Sequence, residues 1–306
     1  MVKGNPMEYF ILLLAVLCIA VQFNINKLYQ KQYIKGLGDI LFFPFLCGTV
    51  NIVFFTLLGI ALYGQLPSFS IFSMGMSVLL AIVSTLSALV GILVLKYGSL
   101  SVYSIFMMLG GMILPYFYGV LLLGEALSAT RIAGFLILIC ALPLSVLKPK
   151  GDKGGVSSKY YYILCILIFC INGTISIISK THSINTMAVP AANFIALTSV
   201  CQTIISGAVY GIYAKRHVIM KQTNDKPNKT RMVITVLFFI VISGIGYLLQ
   251  LIAAKTVPAV VLFPFITGGG IVLSTLIARI FFKEKLAPLA LCGIAIALVG
   301  TVVFLI

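Results

Sequence analysis

Leu95–Leu138 reads LKYGSLSVYSIFMMLGGMILPYFYGVLLLGEALSATRIAGFLIL, and Ala253–Leu286 reads AAKTVPAVVLFPFITGGGIVLSTLIARIFFKEKL. Moved forward by 159 positions, residues 84–137 fall on 243–296 without a gap. Ser84 then lies on Ser243, Lys96 on Lys255, Phe106 on Phe265, Gly110 on Gly269 and Gly111 on Gly270. Glu125 lies on Glu284, Leu127 on Leu286 and Gly134 on Gly293. Shared leucines mean little in apolar segments. A lysine, a glycine pair, a glutamate and a further glycine at fixed distances mark an internal repeat. The first helices of the two halves agree at a displacement of 153, which sets Lys27 on Lys180.

What surrounds the repeat decides the solvent. Of 306 residues, 61% are hydrophobic and 9% charged, against about 45–50% and about 25% for a soluble domain. So few charges cannot cover a water-facing surface, and a disordered chain would be poor in aliphatic residues. No stretch is long and polar enough for the catalytic domain of a singly anchored enzyme. A bilayer core of about 30 Å needs about 20 apolar residues per helix. Ten such runs occur, roughly 8–28, 40–62, 71–95, 100–122, 129–147, 160–180, 189–213, 232–254, 258–282 and 286–305. They are continuous, not the alternating ten-residue segments of a barrel. The first run lacks a small-residue cleavage site and reads as a true span. The expected fold is therefore all-α and polytopic, with ten transmembrane helices in two five-helix repeats: 1–147, a cytoplasmic linker 148–159, and 160–306.

Five spans per repeat is an odd number, so the second copy enters the membrane from the opposite face. Inverted repeats characterise secondary transporters, whose substrate site lies near the midplane between the halves. Most of the 21 basic residues cluster at one set of span ends, including Lys148–Lys159 and Lys215–Arg231. Only Lys3, Arg131, Lys180 and Lys255 lie at the other. The positive-inside bias puts the first set in the cytoplasm and both termini outside, in a multi-pass protein of the cell (plasma) membrane. The net charge of +15 faces anionic headgroups; no basic domain stands free of the bilayer to bind nucleic acid.

The Leu95–Leu138 stretch closely resembles the second part of an EamA repeat of the drug/metabolite transporter superfamily. The hallmarks fall on Lys96-Tyr97-Gly98, Gly110-Gly111 with Pro115, Gly124-Glu125, and Gly134. Ala253–Leu286 looks like the same unit, with Pro264, Gly268–Gly270 and Lys283-Glu284, and Asn24-x-Asn26-Lys27 is similar to the end of the family's first helix. The resemblance implies ten helices, an inverted five-plus-five repeat, and export or exchange of small organic solutes. Two features depart from it. Family members commonly keep their termini in the cytoplasm, and the small multidrug relatives carry a membrane-embedded Glu in helix one, where Leu12–Val21 has none.

The six acidic residues are Glu8, Asp39, Glu125, Asp152, Asp225 and Glu284, all at helix ends or in loops. Without a carboxylate at mid-depth, proton-driven export of cations lacks its usual machinery. Glu125 and Glu284 instead suit the N–H groups at the start of the next helix. Lys96 and Lys255 end two spans as snorkelling anchors, or else gate an anionic solute. Polar faces must turn to protein or to a wet cavity. The candidate cavity residues are Gln22, Asn26, Ser84, Ser87, Tyr103, Asn172, Ser176, Tyr247, Gln250 and Thr267. Among these, serines also suit close packing, whereas the amides of Gln22, Asn172 and Gln250 have more hydrogen bonds to satisfy. Gly110, Gly111, Pro115, Pro264, Gly269 and Gly270 read as hinge or packing positions where helices four and nine cross and rock.

The sequence thus leads to a transporter that moves a small amphipathic or amino-acid-like metabolite by alternating access. Its partners are that solute and the lipid bilayer, and a homodimer stays open. The alternatives are a flippase-like carrier of an anionic lipid-linked headgroup, or a multidrug exporter. An intramembrane enzyme has only Lys96 near Ser99 to offer. No cofactor is expected, since there is no phosphate-binding glycine loop, and the seven cysteines and two histidines lack metal-site spacing.

Overall fold

The computed structural model describes residues 6–33, 37–97, 100–146, 159–216, 229–282 and 288–303. Among them the chain forms ten helices and no strand. These are α1 (Pro6–Tyr33), α2 (Leu37–Tyr63), α3 (Ile71–Tyr97), α4 (Leu100–Leu121) and α5 (Ala129–Val146), then α6 (Lys159–Ile184), α7 (Ala191–Arg216), α8 (Lys229–Thr256), α9 (Ala259–Phe282) and α10 (Pro288–Val303). Eight are long and apolar enough to cross a membrane; α5 and α10 are shorter apolar helices. In hydrocarbon every backbone polar group needs an internal partner, which is why uninterrupted apolar runs take helical form.

The joints follow from local chemistry. Gly64 and Gly124 adopt φ of 66° and 63°, a left-handed geometry that glycine takes without a Cβ clash. At Gly124 the chain turns sharply off α4. Leu123 N–H donates to Tyr118 O at 3.2 Å and Glu125 N–H to Gly119 O at 3.0 Å. Proline begins α10 at Pro288 and precedes α9 at Pro258, positions where its missing N–H is not needed.

Helices α2 and α7 pack together, as do α5 and α10. Helix α1 rests on α8 and α9, while α6 rests on α3 and α4; α4 also meets α9, and α3 meets α7. Renumbering each helix by five turns the α1 contacts with α8 and α9 into the α6 contacts with α3 and α4 and returns the pairs α2–α7, α4–α9 and α5–α10 to themselves, while α6 also touches α8. The outward faces stay apolar, with Leu57, Ile82, Leu136, Ile163, Ile204 and Phe238 exposed, as a lipid-facing surface requires.

The largest core cluster joins α9 to α1, α4, α5 and α10 around Leu12, Met112, Leu138, Leu262 and Ala297. A second gathers α2, α3, α6, α7 and α8 around Phe55, Leu80, Phe194 and Leu251. Between the two clusters lies the cavity described next.

Candidate functional site

A cavity of about 530 Å³ opens between the helices, within the roughly 300–1,000 Å³ of ordinary ligand pockets. From α1 it takes Gln22 and Asn26, from α2 Asn51, and from α4 Met107, Met108 and Gly111. From α6 it takes Asn172, Ser176 and Ser179, from α8 Ser243, Tyr247 and Gln250, and from α9 Phe263, Ile266 and Thr267. Each polar group is one helical turn or so from the next along its own helix, so α1, α6 and α8 each present a polar edge inward.

Hydrogen bonds fix part of this wall. Asn172 Nδ2 donates to Met107 O at 2.7 Å, and Ser176 Oγ to Gly111 O at 3.3 Å, which ties α6 to α4. The hydroxyls of Ser179 and Tyr247 share a 2.8 Å bond that joins α6 to α8. The side chains of Gln22 and Gln250, by contrast, make no hydrogen bond among the described residues, and both residues line the cavity.

Gln22, Asn26, Asn172, Ser176, Tyr247, Gln250 and Thr267 are brought together in this lining. Ser84, Ser87 and Tyr103 are not among the residues lining this cavity. The reason is the placement of α3. Its polar side turns to α7, where Thr198 Oγ1 donates to Ser77 Oγ and Gln202 Nε2 to Thr85 Oγ1, both at 3.2 Å. Tyr103 packs on the same helix: a Cβ at Gly91 would stand 3.0 Å from its hydroxyl. The equivalent stretch of α8 takes the cavity instead. Asn51, a lone amide in an apolar span, was not among the expected residues; its Oδ1 is buried and has no hydrogen-bond partner.

Helices α4 and α9 touch each other, and their glycine pairs seat them on two further helices. A Cβ at Gly110 would collide with Phe169 O of α6, and one at Gly111 would lie 2.6 Å from Asn172 Nδ2. A Cβ at Gly269 would lie 2.9 Å from Val16 Cγ1 of α1, and one at Gly270 3.9 Å from Ile19 Cγ2. The close approaches are thus α4 on α6 and α9 on α1. Pro115 and Pro264 are buried within α4 and α9.

Charged groups lie off the cavity. Glu125 accepts from the N–H groups of Ala259 and Val260, at 2.7 and 2.8 Å. It therefore caps α9, in the other half, and not the helix that follows it in sequence. Lys180, 3% exposed, donates to Ala254 O and Val257 O at 2.8 and 2.7 Å, at the end of α8. Lys255 is exposed in the last turn of α8, as an anchoring lysine would be. The Lys96 side chain and Glu284 lie outside the described residues.

Fold and site together define a polytopic α-helical membrane protein with an interhelical cavity of mixed polar and apolar lining. Neither a family model nor a curated protein matches the sequence. Among solved structures, one described only as the crystal structure of a protein superposes with a TM-score of 0.73, covering 99% of both chains at 15% identity. At that identity the likeness establishes the fold alone.

Proposed function

We propose that the chain is a ten-span secondary transporter of the drug/metabolite type, built from two inverted five-helix repeats, which carries a small organic solute by alternating access. The observation that carries this reading is a pair of mirrored contacts. Gly110 meets Phe169, and Gly269 meets Val16; Gly111 meets Asn172, and Gly270 faces Ile19. The displacements of 159 and 153 read from the sequence convert each first contact into its second, residue by residue. Two halves with matching interfaces in oppositely facing environments can exchange arrangements of nearly equal energy, and the cavity sits where they meet.

The lining favours a transporter of uncharged or internally balanced solutes over the alternatives. A carrier of anionic headgroups needs basic residues at the cavity, and a cation exporter needs a carboxylate there; the described lining has neither. The cytoplasmic face is the one that bears Lys148–Lys159 and Lys215–Arg231, with both termini outside.

Counterflow tests the function. Proteoliposomes preloaded with an unlabelled solute should take up the same labelled solute faster than empty ones, for at least one member of a panel of amino acids, nucleosides, vitamins and quaternary amines. Uptake no faster than in protein-free vesicles across the panel would remove the proposal.

A further inference from the structure

The make-up of the cavity wall narrows the solute, if the cavity is the transport site proposed above. Its polar residues include five carboxamides, Gln22, Asn26, Asn51, Asn172 and Gln250, beside the hydroxyls of Ser176, Ser179, Ser243, Tyr247 and Thr267. No lining residue among those described is a Lys, Arg, His, Asp or Glu. An ammonium, carboxylate or phosphate would enter without a counter-charge, at a cost of several kcal/mol per ion. A carboxamide presents an acceptor and two donors side by side, the pattern that reads the paired donor and acceptor edge of a heterocyclic base. The rest of the wall is largely apolar and includes the half-buried aromatic Phe23, a side chain of the kind on which a flat heterocycle stacks.

We infer that the solute is an uncharged heterocycle of the nucleobase or nucleoside kind, held at its edge by the carboxamides and against the apolar wall by its face. The amino acids anticipated from the sequence fit less well, because both of their charged ends would be left unpaired.

The test is thermal unfolding of the purified full-length chain with uridine or adenosine, and separately with phenylalanine, glucose or tetraethylammonium. The nucleosides should raise the midpoint in proportion to dose. Gln22→Met and Gln250→Met remove amides that bond to no described residue, so the unliganded variants should unfold at the wild-type temperature and bind nucleoside about tenfold more weakly. A shift from phenylalanine, glucose or the ammonium instead, no shift from either nucleoside, or undiminished binding in both variants would overturn the inference. Should either variant unfold early, equilibrium dialysis of labelled uridine with the wild-type chain decides: competition by adenosine and not by phenylalanine is expected, and the reverse contradicts it. Counterflow separates this inference from the transport reading. Nucleoside binding without flux would remove transport and keep the site, whereas flux of an amino acid would keep transport and remove the heterocycle.

Discussion

Pro258 has no N–H, so Ala254 O, four residues earlier at the end of α8, has no helical donor. Lys180 supplies one, and the same ammonium holds Val257 O. On the other side of the joint, Glu125 holds the first two N–H groups of α9. A cation at a helix C-terminus and an anion at a helix N-terminus both match the helix dipole. The α8–α9 elbow is thus fastened at both faces by side chains from α6 and from the joint after α4. Lys180→Met should lower stability by about 1.5–3 kcal/mol, the range for a lost hydrogen bond to a charged group. Glu125→Gln, which keeps one acceptor but loses the charge, should cost about 1 kcal/mol. Thermal unfolding of the purified variants measures both, and an unaltered midpoint for Lys180→Met would show that the carbonyls need no donor. Hydropathy could place Lys180 near a span end but could not distinguish a snorkelling lysine from a buried one. Pro258 is the local signal that a carbonyl lacks a donor, yet nothing in the sequence says which side chain answers it.

Glycine does its work between elements. Gly110 and Gly173 let α4 and α6 approach until backbone meets backbone: a Cβ at Gly173 would stand 2.8 Å from Gly110 O. The mirrored seat of α9 on α1 is looser at one position, since a Cβ at Gly270 finds its nearest atom at 3.9 Å. Gly110→Ala should therefore destabilise the protein by about 1–3 kcal/mol, the range for overpacking, whereas Gly270→Ala should unfold within about 0.5 kcal/mol of wild type, as for a substitution that meets no neighbour. Equal effects in a thermal-unfolding comparison would contradict the close backbone approach at Gly110 and the open one at Gly270. This inequality also marks the limit of what is legible in sequence. Long apolar runs disclose helices because length and hydropathy suffice. The periodicity of Ser84 and Ser87 discloses a polar face but not its neighbour. Since α3 and α8 carry related patterns, only the packing reveals that α8 turns to the cavity while α3 turns to α7. Asn51 could have been suspected, because a lone amide in an apolar span must find a polar neighbour.

At the scale of the whole molecule, several of the interhelical bonds among the described residues lie by the joints after α2, α4, α6 and α8. Ser70 Oγ donates to Met187 O at 2.8 Å, Asn193 Nδ2 to Ser68 Oγ at 3.0 Å, and Ser73 Oγ pairs with His182 Nε2 at 3.0 Å. The hydroxyls of Tyr118 and Thr181 meet at 2.7 Å, and Lys180 grips the α8–α9 elbow beside them. Alternating access requires these ties to part in some fraction of molecules while the cavity residues stay between the halves. Orientation is tested by a cysteine introduced at Asn224, which should react with an impermeant thiol reagent from the cytoplasmic face alone; reaction from outside intact cells would reverse the assignment of the termini.

The central claim is that one cavity serves both faces of the membrane. Gln250→Cys, in sealed vesicles of known orientation and against a wild-type control for the seven native cysteines, puts a single new thiol on the cavity wall. An impermeant methanethiosulfonate reagent added to either face should modify that thiol, and a transported solute should slow both reactions. Modification from one face only, or from neither, would contradict a pocket that opens alternately to the two sides.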